Sequence, residues 1–559
     1  MKHTEQQSLI AATDGLSMQF DRQAGVFAHI TALPGSHGIG DLGPGARKFL
    51  EWLETANQSV WQFCPLGPTA GIHDDSPYQS YSAFAGNPLL ISLDDLVAEG
   101  YLTSEDLEPV PDFSPHEVVY DTVREYKHDC LHIAAERFRE SIGGIAIHPH
   151  PDPDTTVNSG VDGDTVPEVT VTLGESVNLS QDTPADSQIE KDAREFKSFY
   201  QRENHWLTDY ALFMALRTSY DGAWTDWPEP IRNRDPDALR DQYESLESDV
   251  LYHLIVQFIF DQQWQSLQTV AANRGVTLVG DLPIYVALDS ADVWATPEIF
   301  QLTDTNEPAV VAGVPPTDSD DGQRWGNPVY DWAYLRNTGY NWWLDRLDRL
   351  FDLIDVTRID HFKGFDSYYA IPIDADNPTA GEWHSVPGYD FFETVREHIG
   401  SLPFIIEDLG FIDQALHDLR EYFDFPGMRV PHYADWCREG DMYQPMHYPP
   451  QSVAYSSTHD TDTIVGYYDS LSQSQRDCLH YNLGVDGSEI NWSIIDAVWR
   501  SDAKIGLTTL QDVLGLDSHA RFNEPGTASG NWEWRCTDSG LDEDLARRLA
   551  GLTLEHVRD

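Results

Sequence analysis

Short apolar runs rich in β-branched residues recur along this 559-residue chain. Eight of them, at residues 26–30, 60–65, 277–283, 355–360, 403–407, 428–432, 452–458 and 507–513, read as strands. Between many of them the apolar positions switch to a helical period, as at 45–53 and 340–350. Eight strands with intervening helices predict an α/β fold, a closed (β/α)8 or TIM barrel with large inserted helical subdomains. The whole of 1–559 reads as one such domain with insertions. The longest, 67–276, separates the second and third strands and holds a helical subdomain that includes 206–217. Within it, 141–190 has no Phe, Trp, Tyr, Lys or Arg but nine acidic residues, and reads as a flexible acidic insert. A short β-hairpin is expected near 166–173.

Charge changes the picture next. Asp and Glu number 93 against 35 Lys and Arg, a net charge of −58. The 17 Trp, 25 Tyr and 23 Phe rule out a disordered acidic chain, so the acidity sits on a folded surface. Such a surface excludes binding of nucleic acid or an anionic membrane through a broad basic face. No apolar run is long enough for a transmembrane helix. The first fifteen residues lack a basic region followed by an apolar stretch, so no secretory signal is expected. Five scattered cysteines, 64, 130, 437, 478 and 536, show no C-x-x-C spacing. Neither a disulfide framework nor a zinc ribbon is expected, and a cytoplasmic location is. Only seven of the 35 basic residues are Lys. Acid-rich, Lys-poor composition predicts a salt-requiring protein from a halophile, because a Debye length of about 3 Å at 1 M salt screens the self-repulsion.

The chemistry gathers where predicted strands end. Asp281, Asp360, Glu407 and Asp460 each close or follow a strand, and Arg358, His361, Asp408, His459 and Asp462 stand beside them. In a (β/α)8 barrel the C-terminal strand ends surround the active site, so four separate segments bring carboxylates to one mouth. Carboxylates repel one another and raise each other's pKa, so such a gathering points to a site. Taken singly, Asp408 and Asp462 read as turn or helix-cap residues, and Arg358 as a buried partner of Asp360. Paired carboxylates without a Cys or His metal cluster suit glycosyl transfer, one attacking the anomeric carbon and the other protonating the leaving oxygen. No metal, cofactor or nucleotide-binding loop is called for.

At these residues the chain resembles a known family. The motifs are Leu33-Pro34-Gly35, Gly38-Ile39-Gly40-Asp41, Pro65-Leu66-Gly67-Pro68-Thr69, Ser76-Pro77-Tyr78-Gln79-Ser80, Gly280-Asp281-Leu282-Pro283, Gln323-Arg324-Trp325-Gly326-Asn327-Pro328 and Arg521-Phe522-Asn523-Glu524-Pro525-Gly526. With Arg358-Ile359-Asp360-His361-Phe362 and Glu407-Asp408-Leu409-Gly410 they resemble the amylomaltases or disproportionating enzymes, 4-α-glucanotransferases of glycoside hydrolase family 77 related to α-amylases. The resemblance implies an α-amylase-like barrel acting on α-1,4-glucans and maltooligosaccharides by retaining double displacement. It implies Asp360 as nucleophile, Glu407 as acid/base and Asp460 as the third carboxylate. Arg358 and His459 then hold the reacting sugar and orient the nucleophile, and Arg358 is expected to keep Asp360 ionised. Tyr78 is the aromatic platform, and Ser76, Asp281, Gln323, Trp325, His361 and Asn523 line neighbouring subsites. One departure stands out. After Pro315-Pro316, where many relatives carry an aromatic pair, this chain reads Thr317-Asp318-Ser319-Asp320-Asp321. Less aromatic cover favours entry of water. The rival readings are a hydrolase on the same scaffold and a glucan-binding protein without catalysis.

Overall fold

In the computed structural model, which describes residues 21–149, 169–173, 188–220, 222–317, 321–527 and 529–558, eight parallel strands close a barrel. They are β1 (Gln23–Phe27), β2 (Val60–Gln62), β3 (Thr277–Leu282), β4 (Val356–Ile359), β5 (Phe404–Ile406), β6 (Gly427–Arg429), β7 (Ser452–Tyr455) and β8 (Ile505–Thr509). Each pairs with its neighbours in chain order, and β1 closes on β8 with Gln23 opposite Ile505. Gly25 makes the β1–β2 approach possible, since a Cβ there would lie 2.3 Å from the Val60 carbonyl oxygen.

All eight expected strands form, but several end earlier. The run at 507–513 becomes β8 only to Thr509, whose hydroxyl accepts the Asp512 N–H and caps the helix Leu510–Leu514. The run at 428–432 stops at Arg429 because Pro431 opens a short 3-10 turn.

The barrel interior is filled by Val60, Val279, Val356, Ile405, Met428, Val453, Tyr455 and Leu507. Strand side chains alternate, so the inward positions can be followed upward. Two residues past Val279 is Asp281, two past Val356 is Arg358, and two past Ile405 is Glu407. The apolar floor therefore gives way to charge at the C-terminal mouth. Helices such as Pro44–Thr55, which contains the expected stretch 45–53, and Asn341–Leu353, which holds 340–350 except for its cap Tyr340, cover the outside.

Between β2 and β3 lie the long helices Tyr120–Ser141, Gln188–Ser219 and Glu247–Asn273, the second of which contains 206–217. In place of a hairpin near 166–173, a single strand there pairs with an earlier segment. Val169–Leu173 pairs antiparallel with Ile145–Pro149, whose apolar start supplies the second strand. Much of the rest of 141–190 lies outside the described residues, as do Asp318, Ser319 and Asp320. A second, antiparallel sheet orders Glu382–Ser385, Ser367–Pro372, Val310–Val314 and Gln323–Pro328 beside the mouth.

The cysteine expectation needs correction. Cys437 and Cys478 form a disulfide with Cα atoms 5.2 Å apart, while Cys64, Cys130 and Cys536 are buried free thiols. The pair is 41 residues apart, so only the packing of the segment after β6 on the helix Gln473–Leu483 brings it together. Among the described residues no helix is long and apolar enough to cross a membrane, and no group of three or more His, Cys, Asp or Glu is placed to hold a metal.

Candidate active site

Arg358 organises one half of the mouth. Its side chain, 2% exposed, sends Nη1 to Asp281 Oδ2 at 2.6 Å and Asp360 Oδ1 at 3.0 Å, and Nη2 to Glu407 Oε2 at 3.0 Å. One planar fork thus holds carboxylates from the ends of β3, β4 and β5, a task that a lysine's single nitrogen would not match. Glu407 Oε2 also accepts the His361 N–H at 2.7 Å. That N–H points inward because His361 adopts a left-handed backbone, φ 49°.

His459 organises the other half. Its Nε2 lies 3.0 Å from Asp460 Oδ2 and 2.9 Å from the Tyr78 hydroxyl, with the Tyr78 and His459 rings stacked at 5.4 Å. The same hydroxyl donates to Asp281 Oδ2 at 2.9 Å. Its one proton is then used, so it accepts from His459 Nε2–H. Tyr78 therefore links the two halves. Asn523 Nδ2 donates to Asp460 Oδ1 at 2.6 Å, and Arg521 holds the Asp460 carbonyl at 2.9 Å.

Eleven of the twelve residues expected at the site form this connected set or flank it directly. Trp325 sets its ring edge-on to His361 at 4.9 Å, and its Nε1 donates to Gln323 Oε1 at 2.8 Å. Ser76 is tied in more loosely, its hydroxyl accepting the Tyr78 N–H at 3.3 Å. Asp281 lies behind the mouth. Its side chain is fully buried and holds Arg358 and Tyr78. Asp408 stands apart as a structural residue that accepts the Met428 N–H and pairs with Arg420 and Arg429. It lies against Gly427, where a Cβ would come within 2.3 Å of its carboxylate. Asp462 accepts from Thr463 N–H and Ser518, as a turn residue does.

Electrostatics corrects one expectation. Burial raises Asp360 well above the usual carboxylate range, and Glu407, Asp281 and Asp460 add to it against the pull of Arg358. Burial likewise raises Asp281, opposed by Arg358 and His459. One guanidinium facing several carboxylates offsets their burial and mutual repulsion only in part, so Asp360 and Asp281 stay raised. Asp460 goes the other way. Burial works against its charge, but His459, Arg358 and Asn523 outweigh it and hold the carboxyl below its usual range. Burial lowers His361 to about 4, so its ring is neutral.

Several contributors escape a motif reading. Phe27 at the end of β1 stacks on His459 at 5.5 Å, and Met428 Sδ lies 3.3 Å from Arg358 Nε. Trp532, at 5.7 Å, backs Tyr78. Tyr433, half exposed after β6, sets its ring against Tyr443 at 5.7 Å. Trp532 belongs to Gly530-Asn531-Trp532, which extends the Asn523 motif of the resemblance, whereas nothing local marks Phe27 or Tyr433.

Fold and site together define a class: a (β/α)8-barrel enzyme whose mouth carries clustered carboxylates suited to glycosyl chemistry. The sequence profile of the 4-alpha-glucanotransferases, glycoside hydrolase family 77, matches residues 28–148 and 167–541. The 4-alpha-glucanotransferase of Synechocystis sp. is 40% identical over 538 residues, covering 95% of this chain and 97% of that one. The 4-alpha-glucanotransferase of Thermus thermophilus is 37% identical over 545 residues, covering 96% and 99%. The amylomaltase from Streptococcus agalactiae in complex with acarbose superposes with a TM-score of 0.84 at 32% identity, covering 96% of this chain and 99% of that one. The chain belongs to the 4-alpha-glucanotransferase family.

Proposed function

We propose that this chain moves α-1,4-glucan segments between maltooligosaccharides by retaining double displacement, with Asp360, Glu407 and Asp460 in the reacting roles. The observation that carries the assignment is the Arg358 fork, 3.0 Å from a carboxylate oxygen of both Asp360 and Glu407. A retaining pair stands about 5–5.5 Å apart, and a shared guanidinium favours that close placement.

Asp360 attacks C1 of the donor glucose, and the bond from C1 to the leaving oxygen breaks. Glu407 delivers its proton to that oxygen, and a covalent β-glucosyl–enzyme forms. Glu407, now a base, takes the proton from the 4-hydroxyl of an acceptor glucan. The acceptor oxygen displaces Asp360 from C1, giving an α-1,4 bond. Asp460 stays ionised beside the developing positive charge of the sugar ring. Tyr78 offers its ring as a floor for that sugar. Trp325, Gln323, His361, Asn523 and Ser76 serve subsites further along. Arg358, His459 and Asp281 act behind the reacting groups, each being nearly or fully buried.

Three of the five cysteines are buried free thiols, which supports a cytoplasmic location within this proposal; the Cys437–Cys478 pair is the exception. Incubation with maltotriose in multimolar KCl, followed by chromatography, tests the proposal. Glucose with maltopentaose and longer chains is the expected result. Glucose and maltose with nothing longer establishes hydrolysis instead. Asp360→Asn, Glu407→Gln and Asp460→Asn are each expected to remove nearly all turnover, and a rate near wild type from Glu407→Gln overturns the assignment.

A further inference from the structure

The loop that follows Asp360 and the loop that follows Glu407 are joined twice. The first join is the His361 N–H on Glu407 Oε2 at 2.7 Å. The second is Lys363. Its side chain is 6% exposed, and its Nζ lies 2.6 Å from Asp413 Oδ2 and 2.5 Å from Asp366 Oδ2. Asp413 Oδ1 meanwhile accepts the Leu416 N–H as N-cap of the helix Gln414–Tyr422. The Trp383 ring sits 5.5 Å from the ammonium and closes off its outer side.

These contacts form a ring. From Glu407 the chain runs six residues to Asp413, crosses the ion pair to Lys363, and returns through His361 N–H to Glu407. Within the turn, Gly364 N–H donates to the His361 carbonyl at 2.9 Å and Asp366 N–H to the Lys363 carbonyl at 3.0 Å. The left-handed conformation of His361, which aims its N–H at Glu407, is thus held by a turn whose far end Lys363 anchors. Glu407 Oε2 is occupied by His361 N–H and Arg358 Nη2, so Oε1 is the oxygen that the proposed assignment reserves for the substrate.

The geometry points to Lys363 as a positioning residue that sets the aim of the Glu407 carboxyl by stapling the Glu407 loop to the turn after Asp360. This rests on the assignment of Glu407 as acid/base. The ammonium itself is buried and its Asp366 partner is mostly covered, whereas Asp413 is 57% exposed, so salt screens the Asp413 pair in part and leaves the Asp366 pair better protected. Misplacing an acid by a fraction of an ångström costs rate while leaving remote binding contacts intact.

The test compares two donors. Maltotriose needs a proton on its leaving oxygen, whereas fluoride leaves α-maltosyl fluoride with little help from an acid. Lys363→Met is expected to lower kcat on maltotriose about tenfold or more with KM within about twofold, while single-turnover fluoride release stays within about twofold of wild type. Lys363→Arg is expected to restore most of the loss. Asp413→Asn, which keeps a capping side chain but removes the charge, is expected to follow Lys363→Met in direction and carries the test if that variant does not fold. An equal loss on both donors makes Lys363 a general structural residue and overturns the inference, as does wild-type kcat on maltotriose. Glu407→Gln is the separate control: it should fail on maltotriose yet release fluoride, and failure of that pattern removes the assignment of Glu407 itself.

Discussion

Arg358→Met removes the one cation that Asp281, Asp360 and Glu407 share. The guanidinium lies 2.6 Å from Asp281, whose side chain is fully buried, and 3.0 Å from Asp360 and Glu407, which are 27% and 22% exposed. Breaking a buried pair from one side costs about 3–5 kcal/mol, and the fully buried Asp281 dominates that figure. The cost depends on pH with a definite sign. Asp281 and Asp360 are already raised above their unfolded values by burial, and losing Arg358 raises them further. A carboxyl raised in the folded state contributes fully below its unfolded pKa and loses that contribution as pH rises through the folded one. Each proton bound only by the folded state makes stability fall by about 1.4 kcal/mol per pH unit in that window. The destabilisation by Arg358→Met is therefore expected to be largest near pH 8 and to shrink toward pH 5, where the orphaned carboxyls take up protons. Urea unfolding of both proteins in molar KCl at the two pH values measures it. A difference under about 1 kcal/mol at pH 8, or one that does not change with pH, refutes the reasoning.

Two further outcomes follow from parts of the molecule away from the site. Arg558 is buried at the N-terminal end of the barrel and donates to the carbonyls of Trp499 at 2.6 Å, Ser501 at 3.0 Å, Gln23 at 3.1 Å and Lys504 at 3.2 Å. Arg558→Ala removes these bonds, although Arg22 still donates to the Trp499 and Ser501 carbonyls at 2.9 and 2.8 Å and Gln23 N–H to that of Lys504 at 2.8 Å; it is expected to cost about 1–2 kcal/mol in chemical unfolding while kcat stays unchanged, since the reacting groups sit at the other end, and full stability in the variant contradicts this. The net charge of −58 predicts that Tm climbs between low salt and multimolar KCl, and an unchanged thermal melt rules out charge repulsion as the limiting term.

The strands were legible because each is a short β-branched run, and the reacting groups because they stand at the ends of those runs. Val279 followed by Asp281, and Val356 followed by Arg358 and Asp360, state on paper that charge faces inward above an apolar floor. Other features carry no local signal. Nothing in 166–173 indicates that its pairing partner is Ile145–Pro149, and nothing around Cys437 or Cys478 marks them as a pair. The expectation that Arg358 holds Asp360 ionised was reasonable for a pair two residues apart. It failed because Asp281 and Glu407, 79 and 47 residues from Asp360 in sequence, claim the same guanidinium at the same mouth.

Sequence by itself determined the elements, the residues available to react and the family. Those follow from periodicity and side-chain identity, which are local properties of the chain. Tertiary structure decided which charges share a partner, which are buried and which loops brace each other. Burial and Coulombic interaction depend on distance through space. Those distances exist only once β1 closes on β8 and brings the ends of the strands around one mouth.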